Sequence, residues 1–377
     1  MELTDRQKNF QKKVRSFCLD EIAPHADRID REGVFPEDIM AKVADFGLFG
    51  CVIPEKYGGL GLDTVSYAIA VEEVSRVCGS TGITIAAHNS LGAMPFLLFG
   101  TDAQKEKYLP GLARGRELGA FGLTEPGAGS DAGGTKSVAI KQGDNWVING
   151  RKCFITSAAH SGVIVITAKT EQDETRRRIS SFIVEKNTPG FVVGKKENKM
   201  GLRGSDTREL IFENMRLAGD ALLGNEGEGF KQFLTILDGG RISIGAMALG
   251  LAQGAFDYCL QFVKQMERAG APLTSSQAVQ WKMADMYTQI QCARHLIYYS
   301  ARLEDAHQKF IVESAMAKLY ASEIATKVAH EAMQIVGEEG CNRDTPLERI
   351  YRDVRLCEIG EGTSEIQRIV IARELFK

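Results

Sequence analysis

The chain has 377 residues, 44% hydrophobic and 25% charged, with a formal net charge of −3. That length holds a large core and two or three domains, and the composition is that of a soluble globular protein. No dense Lys/Arg face suggests nucleic acid, and the one basic cluster, Arg176-Arg177-Arg178 beside Glu171, Asp173 and Glu174, reads as a solvated hairpin tip.

Up to about Leu118 the pattern is helical. An amphipathic stretch runs from Arg6 to Ile22, and others cover Pro36–Phe46 and Thr64–Cys78. Ser80–Phe99 is apolar and sparsely charged, as a buried helix would be. The first residues show neither signal-peptide nor transit composition, which points to a cytoplasmic protein. No run of about 18 apolar residues is expected to span a membrane.

From Gly119 to about Asn225 the period changes to that of strands. Gly162–Ala168 is a continuous β-branched run, with shorter runs at Ser181–Glu185 and Glu209–Glu213. Ser137–Lys141 and Trp146–Ile148 flank Gly143-Asp144-Asn145, a hairpin signal. This block opens with Leu123-Thr124-Glu125-Pro126-Gly127-Ala128-Gly129-Ser130-Asp131, a Gly-rich loop whose backbone donors can face an anion. It lacks the Gly-x-Gly-x-x-Gly spacing and no helix follows, so a Rossmann reading fails. In Gly150–Ser157, Phe154 and Thr156 stand two apart on one side of a strand, an aromatic and a hydroxyl suited to a flat cofactor or to an ordinary core.

After Gly229 the helical period returns, with helices expected at Phe230–Glu267, Ser275–Gln308, Ile311–Val336 and Ser364–Leu375. Gly239-Gly240 lies inside the first of these, at roughly 1 kcal/mol each against Ala. Close approach by a substrate would justify that cost; otherwise the pair is a kink. His330-Glu331 begins like a zinc helix, but Gln334 stands where a second His is needed, so no metal is expected. The cysteines at 18, 51, 78, 153, 259, 292, 341 and 357 form no Cys-x-x-Cys pair and read as reduced, mostly buried thiols.

Near the C-terminus, Gly360-Glu361-Gly362-Thr363-Ser364 sets one carboxylate between two glycines. Glycine lets the main chain approach a ligand closely. Thr363 or Ser364 can cap a helix whose inward face reads Ile366, Ile369 and Val370. Glu361 placed this way suits general-base work, or is a solvated Glu in a turn.

Each element alone is weak. Leu-Thr-Glu-Pro-Gly-Ala-Gly-Ser-Asp, Phe-Ile-Thr, Met200-Gly201-Leu202-Arg203-Gly204-Ser205-Asp206-Thr207-Arg208, Leu237-Asp238-Gly239-Gly240-Arg241 and Gly-Glu-Gly-Thr-Ser-Glu-Ile-Gln occur in that order. So ordered, the chain resembles the acyl-CoA dehydrogenase family from end to end, the short-chain, butyryl-like branch most of all. The resemblance implies a mainly α, α+β fold: an N-terminal helical domain (1–118), a middle β-barrel or sandwich domain (119–226) and a C-terminal four-helix bundle (227–377), as a homotetramer. It implies FAD, an acyl-CoA thioester and electron-transferring flavoprotein as oxidant.

On the same resemblance Glu361 matches the catalytic base. In some branches the base lies on the bundle helix one position before the Arg of Asp-x-x-Arg, which here is Gly240. Leu123, Thr124, Ser130, Phe154, Ile155, Thr156, Thr363 and Glu365 match flavin contacts, and Phe154 and Thr156 lie along the ring in the family. Ser130, Asp238, Arg241 and Gly362 match acyl-CoA contacts. Gln277, Gln334 and Gly337 match cofactor contacts that pass between subunits. Two departures stand out. Met266–Leu273 is shortened around Arg268, which would reach FAD pyrophosphate, and Glu338-Glu339 brings like charge near that phosphate. The family chemistry has the base take the α-proton while the β-hydrogen leaves as hydride to flavin N5.

Many members carry Tyr at the position of Gly360, so branched or cyclic acyl groups are expected to fit better here. Competing readings are an acyl-CoA oxidase, a carrier-protein-linked biosynthetic dehydrogenase and a non-catalytic scaffold.

Overall fold

A computed structural model of the chain describes residues 2–170, 178–268 and 270–377. Glu171, Asp173, Glu174, Arg176 and Arg177 of the expected hairpin tip lie outside the described residues, as does Ala269 of the shortened Arg268 segment. Helical, β and helical regions follow one another along the chain, the architecture expected from the resemblance.

The first region holds α1 (Asp5–Phe17), α2 (Ala26–Glu32), α3 (Glu37–Phe46), α4 (Thr64–Val77), α5 (Gly79–Ala87), α6 (Met94–Phe99) and α7 (Asp102–Ala113). Thr4 and Gln7 form a capping box at the start of α1, and Thr101 and Gln104 repeat it on α7. The expected Arg6–Ile22 helix is regular only to Phe17 and finishes in a π turn, Cys18–Ile22, ahead of Pro24, whose nitrogen cannot donate. The expected Ser80–Phe99 helix is likewise broken by a π turn at His88–Ala93. There the His88 ring meets the Leu112 carbonyl and the Gly119 N–H, and the Asn89 amide donates to Leu48, so polar partners outside the helix set the local register.

Strands β1 (Leu118–Gly122), β2 (Val138–Gln142), β3 (Asn145–Thr156), β4 (Ser161–Lys169), β5 (Ile179–Glu185), β6 (Phe191–Lys196), β7 (Thr207–Ala218) and β8 (Leu222–Leu223) form one sheet. Its order is β6-β7-β3-β2-β4-β5-β8, with β1 beside β4 in parallel. Trp146, Ile148, Ile166, Phe182, Leu210 and Phe212 build its core. The hairpin between β2 and β3 turns at Gly143 (φ +60°), as its Gly-Asp-Asn signal suggests.

The last region holds α8 (Gly229–Gln265), a two-residue hairpin of β9 (Glu267–Arg268) and β10 (Ala271–Pro272), then α9 (Gln277–Asp305), α10 (Ile311–Val336), α11 (Pro346–Asp353) and α12 (Ser364–Leu375). Helices α8, α9 and α10 pack on one another, α12 lies against α10, and α4 runs along α8 and α9. Gly79–Phe99 and Gly229–Gln265 are long and apolar enough to cross a bilayer by length and composition, contrary to the sequence expectation, but 72% of each window is buried within the protein. The expected inward face of α12 also needs correction. Ile369 is 46% exposed, and the buried residues are Ser364 and Gln367, the second of which reaches the carbonyls of the Glu361 turn.

The Met200–Arg208 motif is a brace between regions. Leu202 donates its N–H to Asp353 on α11 (2.6 Å), Gly204 donates to the Ser80 hydroxyl (3.2 Å), and Asp206 accepts from the Ala159 N–H (2.9 Å).

Helix α8 meets α4 through Gly250 and Gly254. A β-carbon at Gly250 would stand 2.2 Å from the Glu72 carbonyl oxygen, and one at Gly254 would stand 2.3 Å from that of Arg76. Gly250→Ala gains about 1 kcal/mol of helix propensity. It must still lower stability, by roughly 1–3 kcal/mol net, because the backbones cannot separate without disturbing the core. Denaturant unfolding of the variant checks the sign.

Candidate active site

After α11 a tight turn, Val354–Glu358, leads to Gly360, where the Leu356 carbonyl accepts from the N–H groups of Ile359 (2.9 Å) and Gly360 (2.8 Å). Glu361 (φ 52°) and Gly362 (φ 96°) are then both left-handed. For a residue with a β-carbon this conformation costs roughly 1–2 kcal/mol. Surrounding donors hold it. The Gln367 amide donates to the carbonyls of Glu361 (3.3 Å) and Gly362 (3.0 Å), and the Lys318 ammonium donates to that of Gly362 (2.7 Å). Thr363 caps α12, its hydroxyl accepting from the Ile366 N–H.

The turn aims the Glu361 carboxyl at α8. A β-carbon at Gly240 would stand 2.0 Å from Glu361 Oε2. The glycine pair therefore serves a close approach, but by the chain's own carboxyl rather than by a substrate. Gly239 is crowded in the same way by Glu304, at 3.0 Å. Oε2 is buried and has no hydrogen-bond partner among the described residues. Burial pushes the carboxyl up to about 7, against the opposing pull of Lys318 and Arg241. The solvated-turn reading of Glu361 does not hold.

Next to Gly240 on α8, Arg241 pairs with Asp238 at 2.7 Å and leaves its Nε buried and without a partner among the described residues. Burial lowers the guanidinium from its ordinary value, opposed by Asp238 and Glu361. Behind the site, the Tyr67 hydroxyl on α4 donates to the Ala86 carbonyl (2.8 Å) and the Ser243 hydroxyl to that of Gly240 (2.8 Å).

The Gly-rich loop is anchored by buried charge. Glu125 accepts from the N–H groups of Lys136 (2.5 Å) and Ser137 (3.1 Å), from the Thr135 hydroxyl and from the Lys152 ammonium (2.8 Å). Burial would raise this carboxyl, but Lys152 and these donors drive it down to about 2. Lys152, 0% exposed, also donates to the Leu123 carbonyl (3.1 Å), while the Thr124 carbonyl accepts from the Cys153 N–H (2.9 Å). Leu123 and Thr124 thus lie against β3. At a bulge there, Phe154 (φ 59°) is 64% exposed and Thr156 half-buried, while the Ile155 side chain packs into the sheet core, leaving only its backbone for a ligand. Ser130 and the glycines at 127 and 129 face open space. Phe233, Ile236 and Leu237 of α8 pack with Phe121 and Leu123, which brings this loop beside Asp238, Gly240 and the Glu361 turn.

Thr363, Glu365 and Gly362 belong to that turn and to the first residues of α12. Gln334, Gly337 and Arg268 gather elsewhere: Arg268 donates to the Val336 carbonyl (2.7 Å) and lies against Gly337. On α10 about 24 Å of helix separates Gln334 from Lys318, so in one chain this group cannot join the Glu361 turn. Gln277 begins α9 and is exposed, as are Glu338 and Glu339. Sequence reasoning missed Lys318, Tyr67, Ser243 and the Glu125–Lys152 pair. A signal existed for Lys318, the lone cation on the α10 stripe Ser314, Ala321, Ala325, Val328 and Ala332.

Three family descriptions match the chain: "Acyl-CoA dehydrogenase, N-terminal domain" over residues 4–116, "middle domain" over 120–215 and "C-terminal domain" over 227–376. A probable acyl-CoA dehydrogenase of Bacillus subtilis (strain 168), YngJ, is 49% identical over 377 residues, 100% of this chain and 99% of that protein. Butyryl-CoA dehydrogenase from Megasphaera elsdenii superposes with a TM-score of 0.97 at 40% identity, covering 100% of both chains. A chain from the structure described as "Electron transferring flavoprotein of Acidaminococcus fermentans: towards a mechanism of flavin-based electron bifurcation" superposes with a TM-score of 0.98 at 42% identity, covering 100% of this chain and 99% of that one.

Gly240→Ala should expel the Glu361 carboxyl from its slot toward water. Its titration, followed by infrared difference spectroscopy, should then fall from about 7 toward the ordinary glutamate range. An unmoved titration would mean that the slot does not confine the carboxyl.

Proposed function

The chain belongs to the acyl-CoA dehydrogenase family, and from that premise we propose that it converts an acyl-CoA thioester to the trans-2-enoyl thioester, with Glu361 as the α-proton base and electron-transferring flavoprotein as final oxidant. It is an oxidoreductase of the acyl-CoA dehydrogenase type, and FAD is its cofactor. The observation that carries the assignment of the base is the buried Oε2 of Glu361, which beside Gly240 lacks a hydrogen-bond partner among the described residues.

The residues fit a flat, partly anionic group. An exposed aromatic at Phe154, the half-buried hydroxyl of Thr156 and the open backbone at Gly127 and Gly129 are the proposed contacts, with Leu123 and Thr124 tied to β3 beside Phe154. Thr363 and Glu365 would add contacts from the far side, and Ser130 could touch both cofactor and thioester. Bound FAD supplies the acceptor, at N5, for the β-hydrogen leaving as hydride. Glu361 supplies the other half of the reaction. An α-proton of a thioester is weakly acidic, so the base has to be available near neutral pH without being quenched by solvent. Desolvation gives Glu361 that property, and the left-handed turn fixes the direction of its attack. Asp238, Arg241 and the Gly362 backbone are the proposed contacts that orient the thioester.

The likeness to the butyryl-CoA enzyme favours a short acyl chain, and the likeness to a chain in the electron-transferring-flavoprotein study favours that acceptor. A homotetramer is proposed on two grounds. Gln277, Gln334, Gly337 and Arg268 lie away from the Glu361 turn, where a neighbouring copy's cofactor could reach them. Helix α9 also exposes Trp281, Tyr287 and Tyr299. Anaerobic titration with acyl-CoA esters tests the reading through bleaching of the yellow protein. Peroxide formed in air would indicate an oxidase, and indifference to free CoA esters a carrier-protein substrate.

Glu361→Gln should fold and stay yellow while flavin reduction slows on the order of 10²–10⁴-fold. Because the carboxylate is the active form and its value is raised to about 7, wild-type reduction should speed up as pH rises through about 7 and level off above it. Stopped-flow reduction measures both.

At Gly360 a β-carbon would meet nothing closer than the Leu356 carbonyl oxygen, 3.5 Å away, so a side chain is accommodated without backbone strain. Gly360→Tyr should therefore fold and lose activity on branched acyl groups more than on straight ones. Equal losses across a substrate panel would disprove a role for Gly360 in acyl shape.

A further inference from the structure

Lys318 is fully buried on α10, a helix whose inward stripe otherwise carries no charge. Burying an ammonium is costly unless its hydrogen-bonding capacity is used. Its ammonium reaches the Gly362 carbonyl at 2.7 Å, one residue beyond Glu361, and that carbonyl also accepts from Gln367 at 3.0 Å. Glu361 and Gly362 are both left-handed, so the bond falls where the backbone would otherwise relax. We propose that Lys318 is a positioning residue for Glu361: anchored on the Gly362 carbonyl, in a turn that Gln367 also holds, it keeps a positive charge beside the carboxyl in the Gly240 slot.

The inference rests on Glu361 being the base. The groups facing the pair are few. Lys318 looks onto Cys357 and Glu358 after α11, onto Glu361, onto Glu365 of α12 and onto Arg241 of α8; Glu361 looks onto Lys318, Arg241 and, from α4, the Tyr67 phenol. Arg241 already serves Asp238, whereas Lys318 reaches a carbonyl rather than a carboxylate and its charge is free to act on Glu361. Burial lowers Lys318 to about 8, so it remains mostly cationic at neutral pH while Glu361 titrates near 7. A nearby cation favours the carboxylate, so removing it moves the Glu361 titration upward.

The test uses the FAD-loaded enzyme with Lys318→Met, which keeps the length of the stem but removes donor and charge. With Gln367 still holding the turn, infrared titration of the Glu361 carboxyl, identified by its loss in Glu361→Gln, should shift upward by about one pH unit. The rising limb of flavin reduction should shift with it, so that the rate falls several-fold at pH 7 and recovers at higher pH with little change in KM. Lys318→Arg, which keeps the charge, should restore the midpoint. If Lys318→Met does not fold, Lys318→Gln is read in the same way. A carboxyl titration and rate limb left in place would overturn the proposal, even if the rate fell equally at every pH, since a merely structural lysine would do that. If Glu361→Gln bleaches at the normal rate, the assignment of the base has failed. If Glu361→Gln is inert and Lys318→Met keeps the wild-type profile, only the role of Lys318 has failed.

Discussion

Two positions compete for one volume. The Glu361 carboxyl occupies the space that any side chain at 240 would fill, and the helix accepts a second consecutive glycine to leave it empty. That exclusion makes the site. It forces the carboxyl out of water, leaves one of its oxygens without a partner, and raises its affinity for a proton into the neutral range. It also explains why a carboxylate can stand at one of the two positions but not at both, since the second would be driven into the first. The left-handed turn at Glu361 and Gly362 is the other half of the same fit, and Gln367 and Lys318 hold it from behind.

The remaining architecture serves to bring that fit beside the Gly-rich loop. Helix α8 runs the full depth of the helical region, packing its first turns on Phe121 and Leu123 and presenting Asp238, Gly240 and Arg241 just beyond. The glycine-lined contact with α4 keeps α8 close to the N-terminal helices, and the Met200–Arg208 brace ties the sheet to α5 and α11 through single, well-directed hydrogen bonds. Each region therefore contributes at least one wall, and none has the site to itself.

Much of this was legible from residue order. Long periodic helices such as α9 and α10 fell close to their expected bounds, because packing of one face dominates over local detail. The flanking glycines and the Thr363 cap marked Glu361 as a candidate but left a solvated turn open, and only the ordered set of motifs, through the resemblance, singled it out. The failures have local causes. The π turns at Cys18–Ile22 and His88–Ala93 depend on Pro24 and on partners far along the chain, which periodicity cannot register. Helix α12 was assigned the wrong inward face because its buried residues, Ser364 and Gln367, are polar, and Gln367 bonds the turn rather than filling an apolar core. Lys318 was overlooked for the converse reason, a charged residue being read as solvent-facing by default. Expectations for Gln277, Gln334, Gly337 and Arg268 came from resemblance alone and concern contacts between subunits, which a single chain does not display; Arg268 bonds the Val336 carbonyl instead of reaching the Glu361 turn.

The buried pair of Glu125 and Lys152 constrains how this chain can diverge. Either residue replaced alone strands an ion in a dry interior beneath the loop that faces the cofactor, so drift at one site is blocked until the other changes with it. Substitutions there must arrive together or by way of a crippled intermediate. The rim above is held as well, because Gly127 is left-handed (φ 95°) and a side chain there would be strained even in open space, so the loop is constrained from its underside by charge and at its rim by backbone conformation.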